Sequence, residues 1–454
     1  MDGRSDLESQ IRAGQIDTVL VAFPDLNGRL VGKRITGRFF LDHVADHGTE
    51  NCDYLIACDL DDNPLPGYRF ASYDTGYGDM HARVDWSAVM PMPWFDRTAL
   101  AICDLFDADG APIEVAPRTI LRRQVEAAAE IGFVPKMGSE FEFYLYDQTA
   151  ADAHAGGYRD LRPHSRWMED YDVQQTNNDE YVIGAIRRAL EGAGIPVESS
   201  KGEAGIGQHE INLRYTTAVQ MADQNTVYKH ATKDLASRFG RTASFMAKPG
   251  MDMTGSSGHI HSSLWHAADD TAVFDIAALA ADHDGDQTFR WFLGGQIAAA
   301  RDFSLLWAPT INSYKRFQPG SWAPTAVSWG IDNRTLGLRI VGHGASSRIE
   351  NRIPGSDINS YLAFAGTIAA GLHGIRNRID PGPAFEGNGY EATDVARIPS
   401  TFVEAIELWE RSEIARACFG DDVHHHLLTT ARAEWRAFNA TVTDWEFHRY
   451  WERI

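Results

Sequence analysis

The stretch Lys136 to Tyr146, KMGSEFEFYLY, constrains the fold of this chain more than any other. Phe141, Phe143 and Leu145 alternate with Glu140, Glu142 and Tyr144, and a period of two marks a β-strand. Alternation sends Glu140 and Glu142 to one face and the three apolar side chains to the other. Two carboxylates about 7 Å apart on one strand face repel unless positive charge lies between them. Taken alone, the pattern describes two solvated or arginine-paired glutamates on a half-exposed sheet.

Three later segments change that balance. In KGEAGIGQHEINLRY (201–215) Glu203 precedes a glycine-bearing turn, and Glu210, Asn212 and Arg214 share a strand face. In GSSGHIHSSL (255–264) His259, His261 and Ser263 face away from Ile260 and Leu264. An HxH strand pair suits zinc or plain polar facing equally. In SRIENRIP (347–354) Arg348, Glu350 and Arg352 face away from Ile349 and Ile353. Together these strands supply Glu140, Glu142, Glu203, Glu210 and Glu350 around His259. That set of mostly hard oxygen donors favours Mg²⁺ or Mn²⁺ over zinc. Two or more divalent ions would be needed to neutralise it, an arrangement suited to phosphoryl transfer. Lys315, Arg316, Arg334 and Arg339 form a matching cationic set for phosphate or carboxylate. No GxxxxGK[ST] loop is present, so an ATP site here is not of the P-loop type.

A chain of 454 residues exceeds one ordinary core and predicts two or three domains, or one large α/β domain, with a boundary at the turn Asp107–Gly110 that closes a small α+β unit. A hairpin of Thr18–Phe23 and Leu30–Ile35 opens the first unit, 1–107. An amphipathic helix over 118–131 opens the second, 108–454. Segment 147–178 reads as a long loop or lid, and 182–193, 293–303 and 358–375 as helices. Asp422 reads as the cap of a last long helix, with His424, His425 and His426 on its surface. The net charge of −21 argues against nucleic-acid and anionic-membrane partners. It suits metal ions or amines, and a merely acidic surface accounts for it as well. Four cysteines without CxxC spacing are expected to be reduced. The polar start and the lack of a long apolar run predict a cytoplasmic protein.

At these motifs the sequence resembles the glutamine synthetase family, the bacterial type I enzymes, over nearly its whole length. The resemblance implies an N-terminal β-grasp domain and a catalytic domain with a curved antiparallel sheet flanked by helices. It also implies a dodecamer of two hexameric rings with sites between subunits. Glu142, Glu203 and Glu210 resemble the ligands of one metal, and Glu140, His259 and Glu350 those of a second. Tyr215, His261, Ser263 and Arg348, together with Arg339, match nucleotide positions. Arg334 and Arg339 match the arginines that steady the transferring phosphate. Gly255, Arg316 and Arg352 match glutamate-holding positions. The implied chemistry is phosphorylation of the glutamate γ-carboxylate by ATP, then amine attack on γ-glutamyl phosphate.

The departures fall on the ammonium side. Where the family's flap reads PGYEAP, this chain reads Pro319-Gly320-Ser321-Trp322-Ala323-Pro324. The family's DGSS loop is replaced within DDNPLPGYRFASYDTGYGD (61–79). An indole cannot take a proton, but it packs on an alkyl chain or holds a cation on its face. The pattern resembles the γ-glutamylpolyamine and γ-glutamylethanolamide synthetase branch, with Trp322, Asp61, Asp62 and Asp74 as amine-side candidates. The alternatives are a true glutamine synthetase using ammonium, and a non-catalytic nitrogen-related assembly protein. Tyr390, in GNGYE, sits near where some family members carry an adenylylated tyrosine, but its flanks differ.

Overall fold

The computed structural model describes residues 3–279 and 285–454. Two sheets divide these residues. The first has five strands, β1 (Thr18–Pro24), β2 (Leu30–Thr36), β3 (Thr49–Cys52), β4 (Asp79–Pro91) and β5 (Thr98–Phe106), in the order β2-β1-β5-β4-β3. β1 pairs antiparallel with β2 and parallel with β5. The β1–β2 turn forms as its residues dictate. Gly28 takes φ +75°, and the Asp25 carboxylate accepts the main-chain N–H groups of Asn27 and Arg29.

The second sheet is built on β6 (Phe133–Tyr146), which contains the glutamate strand. Around it lie β7 (Val197–Gly202), β8 (Gln208–Leu213), β9 (Thr216–Thr217), β10 (Thr242–Ser244), β11 (Gly258–His266), β12 (Trp329–Ile331), β13 (Leu338–Val341) and β14 (Arg348–Asn351). The main order is β12-β13-β14-β11-β6-β8-β7, with β9 and β10 also on β6. Pairing is antiparallel except at the edge, where β12 runs parallel to β13.

Phe141, Phe143 and Leu145 are fully buried on the back of β6. There Tyr228, from the Ala218–Arg238 helix, packs edge-on against Phe143 and donates to the Phe141 carbonyl at 3.1 Å. Each such side chain contributes about 2–3 kcal/mol by burial. This apolar layer holds the strand flat and leaves its glutamate face for chemistry. Helices Thr288–Ala299 and Ser360–Asn377 touch backbone to backbone. A Cβ on Gly295 would lie 2.0 Å from the Ala370 carbonyl oxygen, and one on Gly374 2.0 Å from that of Trp291.

Arg118, expected only as part of an amphipathic helix, ties the first sheet to the 218–238 helix. Its guanidinium is buried in the helix Pro117–Ala129 and pairs with Asp85 of β4, Asp104 of β5 and Asp223 of the 218–238 helix. Segment 147–179 stays mostly irregular, with short helices at Ala150–Ala155 and Val173–Thr176.

The C-terminal expectation needs correction. The helix runs Glu413–Asn439 and breaks at Gly420 (φ 80°), two residues before Asp422. His424 and His426 are not on the surface. Their Nε2 atoms sit 2.7 Å from the Trp409 carbonyl and 2.8 Å from the Ile56 carbonyl. Burial pushes His426 down to about 4, so it is neutral. Helical periodicity marks an apolar face, but it cannot reveal which carbonyls of other segments will meet two histidines that point in different directions.

Candidate active site

Two clusters occupy the polar face of the second sheet. In the first, Glu142 of β6 stands opposite Glu210 of β8, and Glu203 arrives from the turn before β8. One ligand oxygen from each lies within 4.8 Å of the others. Glu142 accepts the Ser257 main-chain N–H at 2.7 Å and the Gln208 amide at 2.9 Å. Its carboxyl is nonetheless pushed up, by burial first and the Glu203 charge second. Burial, then Glu140 and Glu203, push Glu210 well above the carboxylate range. Lys201 pairs its ammonium with Glu203, and the buried Arg316 also acts on Glu142. Burial alone would lower that lysine, but Glu203 and Glu210 outweigh it and raise it. These two cations still fall short of three carboxylates, and a divalent cation fits this donor set.

The second cluster joins Glu140, His259 and Glu350, again within 4.8 Å. Register decides it: His259 of β11 stands beside Glu140 of β6, and His261 beside Glu350 of β14. His259 Nδ1 lies 3.2 Å from Glu140 and 3.5 Å from Glu350, while its buried Nε2 has no hydrogen-bond partner. That orphaned nitrogen beside two carboxylates also fits a metal ion. Here the charges are compensated. Glu350 receives Arg339 at 2.7 Å and Arg352 on its other oxygen. Burial would raise Glu350, but His259 and Arg352 outweigh it and hold it below the usual range. Glu140 is also held down, against burial, with His261 as the leading cause. His259 itself is pushed to about 4 by burial and then by Arg352.

The other expected residues fall around these clusters with differing closeness. His261 Nε2 touches Glu140 at 2.9 Å while Arg348 donates to its Nδ1 at 3.1 Å. Tyr215 and His261 flank Gly138, where a Cβ would come within 3.4 Å and 3.6 Å of theirs. Ser263 accepts the Trp265 indole N–H at 3.1 Å, and that indole faces Tyr215 across 6.4 Å. Arg339 reaches Asp332 as well as Glu350, and Arg334 is exposed in the turn after Asp332. Arg316 is buried, donating to the Ile353 carbonyl and to Ser257 Oγ, both at 3.0 Å. Gly255 is needed there because a Cβ would stand 2.8 Å from the Arg316 stem.

Trp322 stands in the flap with φ +64° and 58% exposure. For a bulky side chain that backbone costs about 1–3 kcal/mol. The acidic candidates are elsewhere in their contacts. Asp62 pairs with Arg29 at 2.8 Å, the Asp61 main-chain N–H donates to Asp59, and Asp74 lies in an exposed turn. Among the described residues, these contacts do not join the two clusters. Tyr390 has a buried hydroxyl, which opposes modification at that oxygen.

Sequence reasoning missed several members of this neighbourhood, among them Lys201, Gln208, Ser257 and Asp332. It also missed a third cluster on the reverse of β8, Glu169, Asp179 and His209. His209 Nε2 lies 3.0 Å from Asp179 and 3.9 Å from Glu169. Alternation along GQHE does place His209 opposite Glu210, but its acidic partners come from the 147–179 segment, which carries no periodic signal.

With this geometry in view, relatives are informative. The glutamine synthetase catalytic domain matches residues 114–450. The chain belongs to the glutamine synthetase family. It is 49% identical to the γ-glutamylethanolamide synthetase GlnA4 of Streptomyces coelicolor over 100% of this chain and 96% of that protein. It is 35% identical to a glutamate–isopropylamine ligase of a Pseudomonas species, over 98% and 97%. A glutamine synthetase of Thermotoga maritima is 32% identical over 95% of each chain. Among solved structures, the complex of GmaS with ADP superposes with a TM-score of 0.85 at 27% identity, over 98% of this chain and 99% of that one.

Proposed function

We propose that this protein is an ATP-dependent ligase that phosphorylates the γ-carboxylate of glutamate and joins it to a primary amine larger than ammonium. One observation carries the reading: both carboxylate clusters are intact, while the acceptor-side flap presents Trp322 where the family's proton-taking glutamate stands. The names of the relatives at 49% and 35% identity, an ethanolamide synthetase and an isopropylamine ligase, support it.

Glu142, Glu203 and Glu210 would hold one Mg²⁺ or Mn²⁺, and Glu140, His259 and Glu350 another. Bound there, such ions supply charge neutralisation for the transferring phosphate and align donor with acceptor. Arg316 and Arg352 would clamp glutamate, whose γ-carboxylate oxygen attacks the terminal phosphorus of ATP and releases ADP. Arg334 and Arg339 donate to the phosphoryl oxygens as charge gathers on them. Tyr215, His261, Ser263 and Arg348 line the nucleotide side. The amine nitrogen then attacks the activated carbonyl carbon, phosphate leaves, and the nitrogen loses a proton. Trp322 excludes water and covers the alkyl part of the amine.

Among acceptors, ethanolamine is favoured over a polyamine because the Asp62 carboxylate is already spent on Arg29. Asp61 and Asp74 would reach a site only across a subunit boundary, in the homododecamer that the family resemblance implies. No helix among the described residues is long and apolar enough to cross a membrane, which suits a cytoplasmic enzyme.

Phosphate release from ATP with glutamate and Mg²⁺ tests this, across ammonium, isopropylamine, ethanolamine, putrescine and spermine. Strong turnover with ethanolamine and little with ammonium is expected. Turnover with ammonium alone would make the protein a glutamine synthetase. Trp322→Glu should shift preference toward ammonium by about tenfold, the scale of one charge-assisted contact.

A further inference from the structure

We propose that Glu169, Asp179 and His209 form a third metal site, which takes one divalent ion of zinc's borderline class and fastens the 147–179 segment to the back of the hairpin carrying Glu203 and Glu210. The site does not depend on the ligase reading. All three side chains are 1% exposed, and one ligand atom from each lies within 4.8 Å of the others. His209 Nε2 stands 3.0 Å from Asp179 and 3.9 Å from Glu169. A tetrahedron with metal–ligand bonds of about 2.0–2.1 Å has edges of about 3.3–3.4 Å, which those two distances bracket. His209 Nε2 nevertheless completes no hydrogen bond, and neither do Glu169 Oε2 and Asp179 Oδ1. Buried polar atoms are rarely left so, and three together point to a shared partner. Among the described residues, neither carboxylate pairs with a lysine or arginine; the basic groups in reach are His164 and His209. Ligated through a neutral imidazole, as metal binding requires, the cluster carries two negative charges, which one divalent ion cancels. Two carboxylates with an imidazole suit zinc better than magnesium, which favours oxygen alone.

The backbone is committed to this arrangement. Asp179 stands at the start of the helix Glu180–Gly192, and its carbonyl accepts the Val182 and Ile183 N–H groups at 2.9 Å. An aspartate there ordinarily caps the helix with its carboxylate. This one makes no cap bond and turns to His209 instead, with Ser165 Oγ donating to its Oδ2 at 2.9 Å. His164, held by Asp147 at 2.7 Å, braces the other oxygen from 3.2 Å. Asp170 bridges to Gly202, where a Cβ would lie 2.5 Å from both the Cβ and the carbonyl oxygen of Glu169. Gly202 pairs with His209 across β7 and β8, and the next residues along the chain are Glu203 and Glu210. An ion here thus holds the backbone of two first-cluster ligands from behind. A groove lined by Thr176, Asn177, Ser199 and His209 gives it a way in.

Zinc content tests the site. Metal-stripped protein is reloaded with zinc and dialysed against excess Mg²⁺, which competes for the oxygen-rich clusters. A His259→Ala, Glu203→Gln background weakens the other two clusters directly. That background should keep about one zinc per chain and melt higher with zinc than without it. Adding His209→Gln, or separately Asp179→Asn, should lower retained zinc at least about tenfold and abolish the zinc-dependent rise in melting temperature. Wild-type protein, which needs no substitution to fold, should keep at least about one zinc per chain in the same dialysis. Wild type that keeps less than about a tenth of an equivalent overturns the inference. So does a background whose zinc is undiminished by both substitutions. The ligase reading survives either result.

Discussion

The two carboxylate clusters lie on the same sheet face, a few residues apart on β6, yet they are electrostatically opposite. In the first, Lys201 pairs directly only with Glu203, and Glu142 and Glu210 are pushed toward their neutral forms. Glu140 and Glu350 are held ionised, the second by Arg339 and Arg352 directly. The first cluster therefore needs an external cation to carry its full charge. The second is stabilised by the protein's own arginines, Arg339 and Arg352. Equal-looking glutamates in the sequence thus differ in what completes them.

Breaking either cluster should stop catalysis, and this is the largest effect. Glu140→Ala is expected to reduce glutamate- and amine-dependent phosphate release by more than about a hundredfold, as loss of a metal ligand or of a transition-state charge does. Retained turnover in that variant would sink the assignment of the second cluster. A discontinuous phosphate assay with wild type beside it is sufficient.

Stability of metal-stripped protein separates the clusters. Glu350→Gln leaves Arg339 and Arg352 without their buried partner and should destabilise by about 3–5 kcal/mol. Glu210→Gln removes repulsion from a cluster without compensation and should leave the melting temperature equal or raised. The contrast is read by thermal melts in chelator. Two variants that fall equally would mean that the clusters do not differ.

The smallest effect is the pH response, again without metal. A carboxyl raised in the folded state binds more protons than in the unfolded chain. Glu142 and Glu210 thus contribute stability that is full below their ordinary value of 4.5 and is lost as pH rises through the raised folded values. Glu350 has the opposite sign: its contribution is present above 4.5 and fades as pH falls below that. Metal-stripped protein should therefore lose melting temperature as pH rises from about 5 toward 8, and Glu142→Gln should flatten that slope. Saturating Mg²⁺ should flatten it too, since binding to the folded state stabilises it by mass action.

Much of the site was legible because strand alternation is local. EFEF, HIH and RIENR each announce a charged face and a buried one without reference to any partner, and each of those faces formed. Local chemistry likewise fixed the Asp25–Gly28 turn and the start of the Pro117 helix. What alternation could not supply was registry between strands. Glu140 meets His259 and Glu142 meets Glu210 because of how β11 and β8 slide against β6, a choice made by packing beneath the sheet.

The sequence by itself determined which residues would face one another's side of a sheet, since the period of a strand is written in the order of its side chains. Only the tertiary structure decided which charges would be compensated. Arg339 reaches Glu350 from another strand, Arg118 gathers two aspartates from the first sheet and one from a helix, and the carbonyls of Trp409 and Ile56 take two histidines from a helix that looked solvated there. Desolvation and long-range pairing depend on what lies within a few ångströms in space. Distance along the chain does not record that.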